Sequence, residues 1–365
     1  MSQCAQNGVR VALVMAGGTG GHIFPGLALA QALRERGWRV HWLGGAGTPT
    51  QPSMESRLVP LQGFPFASVD FSGVRGKGWL RLVLLPWHLL RAAWQSLGVL
   101  RRVKPDVVLG FGGYITLPAG LMCALLGIPL VLHEQNSVAG LANKVLAKVA
   151  RRVFSAFPGV LKKGLWVGNP LRATFLKVPE PALRFAARSG PLQVLVLGGS
   201  LGAKALNEIV PQALALLAPA ARVQVRHQSG AAQFDALRAN YAVAGVQAEL
   251  TPFIDDTAQA LAQADLVICR AGASTVTEIA AVGAAALLVP FPFAVDDHQT
   301  SNARFLVDQG AGWLQPQRDL SPAWLAEFLQ KIDRPALLER AQAAKKIQKL
   351  EAVEQIVAAC EELVI

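Results

Sequence analysis

The chain has 365 residues, enough to bury the cores of two domains. It is 52% hydrophobic and 16% charged, yet its formal net charge is +11, which points to an anionic partner: a phosphorylated ligand, a membrane surface or nucleic acid. The basic residues are scattered and no helix-turn-helix, finger or aromatic RNA-binding signature appears, which sets nucleic acid aside. Cys4, Cys123, Cys269 and Cys360 show no metal-ligand spacing and sit in apolar or terminal contexts, so free thiols in a reducing compartment are expected. No charged-then-apolar signal segment is present at the N-terminus, which predicts a cytoplasmic protein.

Residues 9–15 are an apolar run of strand type. Gly17-Gly18-Thr19-Gly20-Gly21-His22 follows and opens a helical stretch over 23–33. A strand, a glycine turn and a helix leave unpaired N–H groups at the positive end of a helix dipole, where an anion is favoured. A tight turn alone needs fewer than four glycines in five positions. His22 is open to two readings: a proton-transfer or anion-contacting group, or a histidine satisfied by a backbone carbonyl.

Further strand-type runs lie near 39–43, 65–69, 106–110, 128–133 and 151–155, then near 192–197, 222–227, 265–269 and 285–290. Helical stretches separate them. The alternation predicts an α/β protein with two doubly wound parallel sheets. The join is expected between 168 and 191, a stretch holding Pro170, Pro179, Pro181 and Pro191. The halves echo one another: Val11-Ala12-Leu13-Val14-Met15-Ala16-Gly17-Gly18 resembles Val194-Leu195-Val196-Leu197-Gly198-Gly199. Two such sheets, facing each other across ligand crevices at their strand C-ends, are expected to enclose a cleft. Neither glycine turn fits G-x-G-x-x-G, and no acidic residue for a ribose follows on the next strand, so a dinucleotide oxidoreductase is not supported.

Residues 73–104 mix Trp79, Leu82, Trp87 and Trp94 with Arg75, Lys77, Arg81, Arg91, Arg101, Arg102 and Lys104. The charges and Pro86 rule out a spanning helix. The mixture suits a surface resting on anionic lipid; the alternative is an amphipathic helix whose leucines pack on the sheet. Gly112-Gly113-Tyr114 and His133-Glu134-Gln135-Asn136 each follow a strand, on the edge shared with Gly17–His22. Asn136 has helix capping as its plain alternative. Gly198-Gly199-Ser200-Leu201-Gly202-Ala203 opens a helix and suits a diphosphate, with Ser200 as N-cap the plain alternative. Thr275-Val276-Thr277-Glu278 fits a capping box, against the reading in which Glu278 accepts both ribose hydroxyls. Asp296-Asp297-His298-Gln299 has no D-x-D spacing and no third ligand cluster, so no metal is assigned.

Taken in order, these motifs, with Arg75-Gly76-Lys77-Gly78, Gly168-Asn169-Pro170-Leu171-Arg172 and Phe253-Ile254-Asp255-Asp256, resemble the MurG family of N-acetylglucosaminyltransferases, from about Val9 to the C-terminus. That resemblance implies the GT-B fold, with an acceptor- and membrane-facing domain over 1–170 plus about 350–365 and a UDP-sugar domain over 171–349. It implies a final helix near 336–364 that crosses back to the first domain. It implies inverting transfer of N-acetylglucosamine from UDP-N-acetylglucosamine (UDP-GlcNAc) to the C4 hydroxyl of N-acetylmuramic acid in undecaprenyl-linked lipid I, giving lipid II for peptidoglycan, without cofactor or metal. By position it gives the donor Thr19, Gly20, Gly21, Asn136, Arg172, Ser200, Ile254, Ala273, Ser274, Thr275, Val276, Thr277, Glu278 and Gln299. The acceptor falls to Tyr114 and Asn143, with His22 and Glu134 both standing as candidate bases. The stretch around Arg75, Lys77, Trp79, Arg81, Leu82 and Trp87 matches the family's docking surface, so the expected place is the cytoplasmic face of the inner membrane, peripherally bound to anionic lipid. Leu201 and Ser274 depart from the family's usual glutamine and leucine. A UDP-GlcNAc 2-epimerase and a non-catalytic membrane-associated binding module are the rival readings.

Overall fold

The structure, a computed structural model, describes residues 8–48, 50–71, 84–199, 202–218 and 223–364. Arg75, Lys77, Trp79, Arg81, Leu82 and Ser200 lie outside the described residues. The chain divides into two units, residues 1–171 with 350–365, and residues 172–349.

In the first unit, β1 (Val11–Met15), β2 (Arg39–Gly44), β3 (Phe66–Ser68), β4 (Val107–Gly110), β5 (Leu130–Glu134), β6 (Arg152–Ser155) and β7 (Leu165–Trp166) form one sheet. Its order is β3-β2-β1-β4-β5-β6-β7, and every pair is parallel. The connections carry α1 (Gly20–Glu35), α2 (Met54–Leu61), α3 (Leu85–Val103), α4 (Thr116–Leu125) and α5 (Leu141–Leu146). Every residue of β4 and β5 is buried, because helices cover both faces; that is why these strands read as unbroken apolar runs. Side chains of β1 alternate between two cores. Ala12 and Val14 join Trp42 and the α1 residues Ile23, Leu29 and Leu33. Leu13 and Met15 join Leu43, Leu100 of α3 and Ala119 of α4. Each fully buried Leu or Ile contributes about 1.5–3 kcal/mol.

The second unit repeats the plan with α6 (Pro181–Ala186), β8 (Gln193–Leu197), α7 (Lys204–Ala215), β9 (Gln224–Gln228), α8 (Phe234–Ala244) and β10 (Glu249–Thr251). It continues through α9 (Thr257–Gln263), β11 (Leu266–Cys269), α10 (Ala273–Val282), β12 (Ala286–Leu288), α11 (His298–Val307), β13 (Gly312–Leu314), α12 (Pro322–Lys331) and α13 (Arg334–Lys346). The parallel order is β10-β9-β8-β11-β12-β13. Both sheets therefore reverse their winding beside the first strand, at β1/β4 and at β8/β11, the switch points where doubly wound folds bind ligands.

One expectation is corrected. The final helix is two helices: α13, and α14 (Ala352–Glu362), which packs on α1 in the first unit. The break over 347–351 holds neither glycine nor proline. It falls where the chain leaves one core for the other, a tertiary cause that leaves no local mark in the sequence. Arg36 of α1 anchors α14 by ion pairs to Glu354 and Glu361.

Candidate active site

At the first switch point the turns after β1 and β4 touch. A Cβ on Gly113 would lie 2.6 Å from the Gly17 carbonyl oxygen, and Gly113 has φ +87°, so only glycine fits. Glu55, buried in the first turn of α2, accepts the Gly45 N–H at 3.2 Å and the Gly18 N–H at 3.4 Å. Part of the anion pocket expected of the glycines is thus filled by the chain's own carboxylate. Nothing in the sequence separates Glu55 from an ordinary acidic first-turn residue. Burial, with the Glu55 charge beside it, raises the Tyr114 phenol.

His22 stands in the first turn of α1, after the N-cap Thr19 and Gly20-Gly21. Its partner is a side chain rather than a backbone carbonyl: Nδ1 lies 2.8 Å from Gln135 Oε1. Gln135 Nε2 in turn lies 3.0 Å from His133 Nδ1 and 2.9 Å from the His133 carbonyl, and His133 Nε2 lies 2.9 Å from the Gly168 carbonyl. Glu134 points the other way from the same strand end. It accepts the backbone N–H groups of Asn136 at 2.9 Å and Gly140 at 3.2 Å, and Asn143 Nδ2 at 2.8 Å. Asn136 does not cap α5, whose N-cap is Gly140. A Cβ on Gly112 would sit 3.2 Å from Asn143 Nδ2 and 3.4 Å from His22 Cε1, so these two side chains flank one bare backbone position. Asn143 is buried, and its Oδ1 has no hydrogen-bond partner.

At the second switch point, Gln228 clamps Gly199 by accepting its N–H at 3.1 Å and donating to its carbonyl at 3.1 Å. A Cβ on Gly202 would lie 2.1 Å from the Ser229 carbonyl oxygen. The helix expected to open here starts only at Lys204, with Ala203 as N-cap. Behind the turn, His227 bridges Tyr241 and Asn207, and burial pushes its imidazole down to about 3.

The helix α10 starts at Ala273 behind the N-cap Gly272. Glu278 is its sixth residue, beyond the third position a capping box needs, so the capping reading fails. The residue is half-buried; burial pushes its carboxyl up to about 7, and the charge of Arg172 opposes the rise. Arg172 donates to the Asp255 carbonyl and, at 2.6 Å, to Thr257 Oγ1, which brings it beside the buried Ile254. Thr277 turns its hydroxyl back to Ala273 and Ser274. Gln299 Oε1 accepts the Phe291 N–H at 2.9 Å. It follows Asp296 and Asp297, whose φ values of 53° and 48° hold two non-glycine residues in the left-handed region at about 1 kcal/mol or more each. Arg172, Ile254, Ala273–Thr277, Glu278 and Gln299 therefore all belong to the second unit, and Thr19–His22, Tyr114, Glu134, Asn136 and Asn143 to the first.

Residues 12–155 match the glycosyltransferase family 28 N-terminal domain, and residues 193–357 its C-terminal domain. The chain belongs to glycosyltransferase family 28. This glycosyltransferase is 78% identical, over 97% of its length and 91% of the relative's, to a protein of Albidiferax ferrireducens. That relative is named UDP-N-acetylglucosamine–N-acetylmuramyl-(pentapeptide) pyrophosphoryl-undecaprenol N-acetylglucosamine transferase. A relative of the same name from Polaromonas sp. is 73% identical over 98% of the chain and 92% of its own length. The crystal structure of Acinetobacter baumannii MurG superposes with a TM-score of 0.82 at 41% identity, covering 97% of this chain and 99% of that one. A solved Listeria monocytogenes protein titled a putative UDP-N-acetylglucosamine 2-epimerase, covering 97% of this chain and 96% of its own, shares the fold alone, with a TM-score of 0.65 at 14% identity.

The glycosyltransferase carries an apolar stripe on α3. Trp87, Leu90 and Trp94 are 66%, 66% and 75% exposed, while Ala92, Ser96, Val99 and Leu100 on the opposite side are buried. The helix thus packs on the sheet by one face, as the plain reading held, and keeps its tryptophans outside. No helix among the described residues is long and apolar enough to cross a membrane.

Proposed function

We propose that this glycosyltransferase moves N-acetylglucosamine from UDP-GlcNAc to the C4 hydroxyl of N-acetylmuramic acid in undecaprenyl-diphosphate-linked MurNAc-pentapeptide, inverting the anomeric carbon from α to β. The observation that carries this reading is near-full-length identity of 78% to a relative of that name. In the second unit, Glu278 accepts the ribose hydroxyls, Ile254 lies against the uracil, and Gln299 meets the sugar. The N-terminus of α10 and Arg172 balance the charge growing on the departing UDP, which needs no metal ion. In the first unit, His22 takes the proton from the attacking hydroxyl. Glu134 is the second candidate, because three N–H donors already occupy its carboxylate and hold the 134–143 loop. Tyr114 and the unpartnered Asn143 Oδ1 serve the acceptor. The α3 stripe, with Arg101 and Arg102 and the preceding basic stretch, rests on anionic lipid at the cytoplasmic face of the inner membrane.

Radiolabelled UDP-GlcNAc, incubated with a lipid I analogue and a chelator, tests the reading. Label is expected in the lipid product. Release of an epimer from donor alone would replace the transferase reading with an isomerase, and donor left unconsumed would reduce the protein to a binding module.

A further inference from the structure

We infer that Gln135 is a positioning residue that holds His22 as its Nδ1–H tautomer, leaving Nε2 as the ring nitrogen free to take a proton. The direction of every hydrogen bond follows from the backbone end of the relay. The Gly168 carbonyl only accepts, so His133 Nε2, 2.9 Å away, carries a hydrogen. His133 is 1% exposed, and burial pushes its imidazole down to about 4, with the nearby His22 opposing its charge. The ring is neutral near pH 7, and its Nδ1 is a bare acceptor. Gln135 meets that acceptor at 3.0 Å and the His133 carbonyl at 2.9 Å, so the amide end that faces them is the nitrogen, with its two hydrogens. Turning the amide over would set its oxygen against both acceptors at once.

The other end of the Gln135 amide is then fixed as oxygen. An amide oxygen has no hydrogen to give, and His22 Nδ1 lies 2.8 Å from it, so His22 Nδ1 donates. In the neutral ring the lone pair sits on Nε2. Protonation there leaves the Nδ1 bond in place and makes it charge-assisted, so the ring takes a proton without turning. The same task is done elsewhere by a carboxylate behind a histidine; here a neutral amide tied to the ring and the carbonyl of His133 does it. The ionisable groups around His22 are His133 from β5 and Glu134, bonded to Asn143, at its end, with Glu55 from α2 and Tyr114 after β4 at the Gly17–Gly18 turn.

The kinetic half of this inference rests on His22 being the base; the tautomer does not. Long-range 1H–15N spectra of the full chain, with the His22 signal assigned by its loss in His22→Ala, read the tautomer directly among six histidines. The wild type is expected to show Nδ1–H. Gln135→Leu is expected to shift the population toward Nε2–H and to lower kcat about tenfold to a hundredfold, with KM for the donor little changed. Gln135→Glu is expected to keep Nδ1–H, to restore part of kcat, and to move the acidic limb of the pH profile up by about one unit, since a carboxylate favours imidazolium. A wild-type spectrum showing Nε2–H overturns the inference whether or not any variant folds. So does a folded Gln135→Leu that keeps both the tautomer and kcat. Full turnover in His22→Ala would remove the base assignment alone, leaving the spectra to decide the tautomer.

Discussion

His22 and Glu134 looked alike as candidate bases in the sequence, each a titratable residue after a strand or turn. What separates them is what each already holds: one amide oxygen for His22, three N–H groups for Glu134. His22→Ala is accordingly expected to lower kcat about 10²–10⁴-fold while UDP titrates as in the wild type; weakened UDP binding would move His22 out of the chemistry and into the donor site. Glu278 gives a second expectation, with a pH sign. Its carboxyl is raised to about 7 in the folded unit, so it contributes stability that is full below its ordinary range near 4.5 and is lost as pH climbs through 7. Ribose hydroxyls bind the ionised form, so UDP affinity is expected to rise about tenfold between pH 6 and pH 8 beyond the change seen in Glu278→Gln. The variant cancels the titration of the phosphate itself. Parallel curves for the two proteins would mean that Glu278 does not meet the ribose. The spacing Thr275-Val276-Thr277-Glu278 also fits a capping box, and that alternative falls only once it is seen where the helix begins, a property of the fold.

Among the elements, the long buried strands were legible, and so was the edge strand β3, whereas the other edge strands were not. β7, β10 and β13 have two or three residues each, too few to show a period, and they form only because a longer neighbour offers its edge. The helix α3 shows the opposite case, a segment whose composition supported both readings and whose faces satisfy both. Its buried side is anchored by Leu100 and Val99, while Trp87 and Trp94 stay in contact with solvent. A helix that needed its tryptophans only for the core would not leave them there. Trp87→Ser with Trp94→Ser is therefore expected to reduce co-sedimentation with anionic vesicles severalfold and to leave the melting temperature nearly unchanged, since neither ring is buried. Equal binding by the double variant and the wild type would dismiss α3 as a lipid-contacting surface.

For the whole molecule, composition and alternation were enough to anticipate two parallel sheets, because both sheets bury apolar strands of similar length behind glycine turns. The route of the last thirty residues or so was legible only through family resemblance. The break between α13 and α14 has no glycine or proline, so nothing local announces that Ile356 and Val357 finish a core begun by Leu29 and Leu33 over three hundred residues earlier. This arrangement makes the first unit depend on the end of the chain. Ile356 is fully buried, and truncating such a side chain to alanine costs about 2–5 kcal/mol. Ile356→Ala is expected to speed amide hydrogen exchange in α1 and in β1 and β2, with the amides of β8 and β11 in the second unit as the internal reference. Arg36 holds α14 only by exposed ion pairs, worth about 1 kcal/mol at most, so they do not replace the lost packing. If α1 kept its wild-type protection in that variant, α14 would be an attachment to the first unit rather than a part of its core.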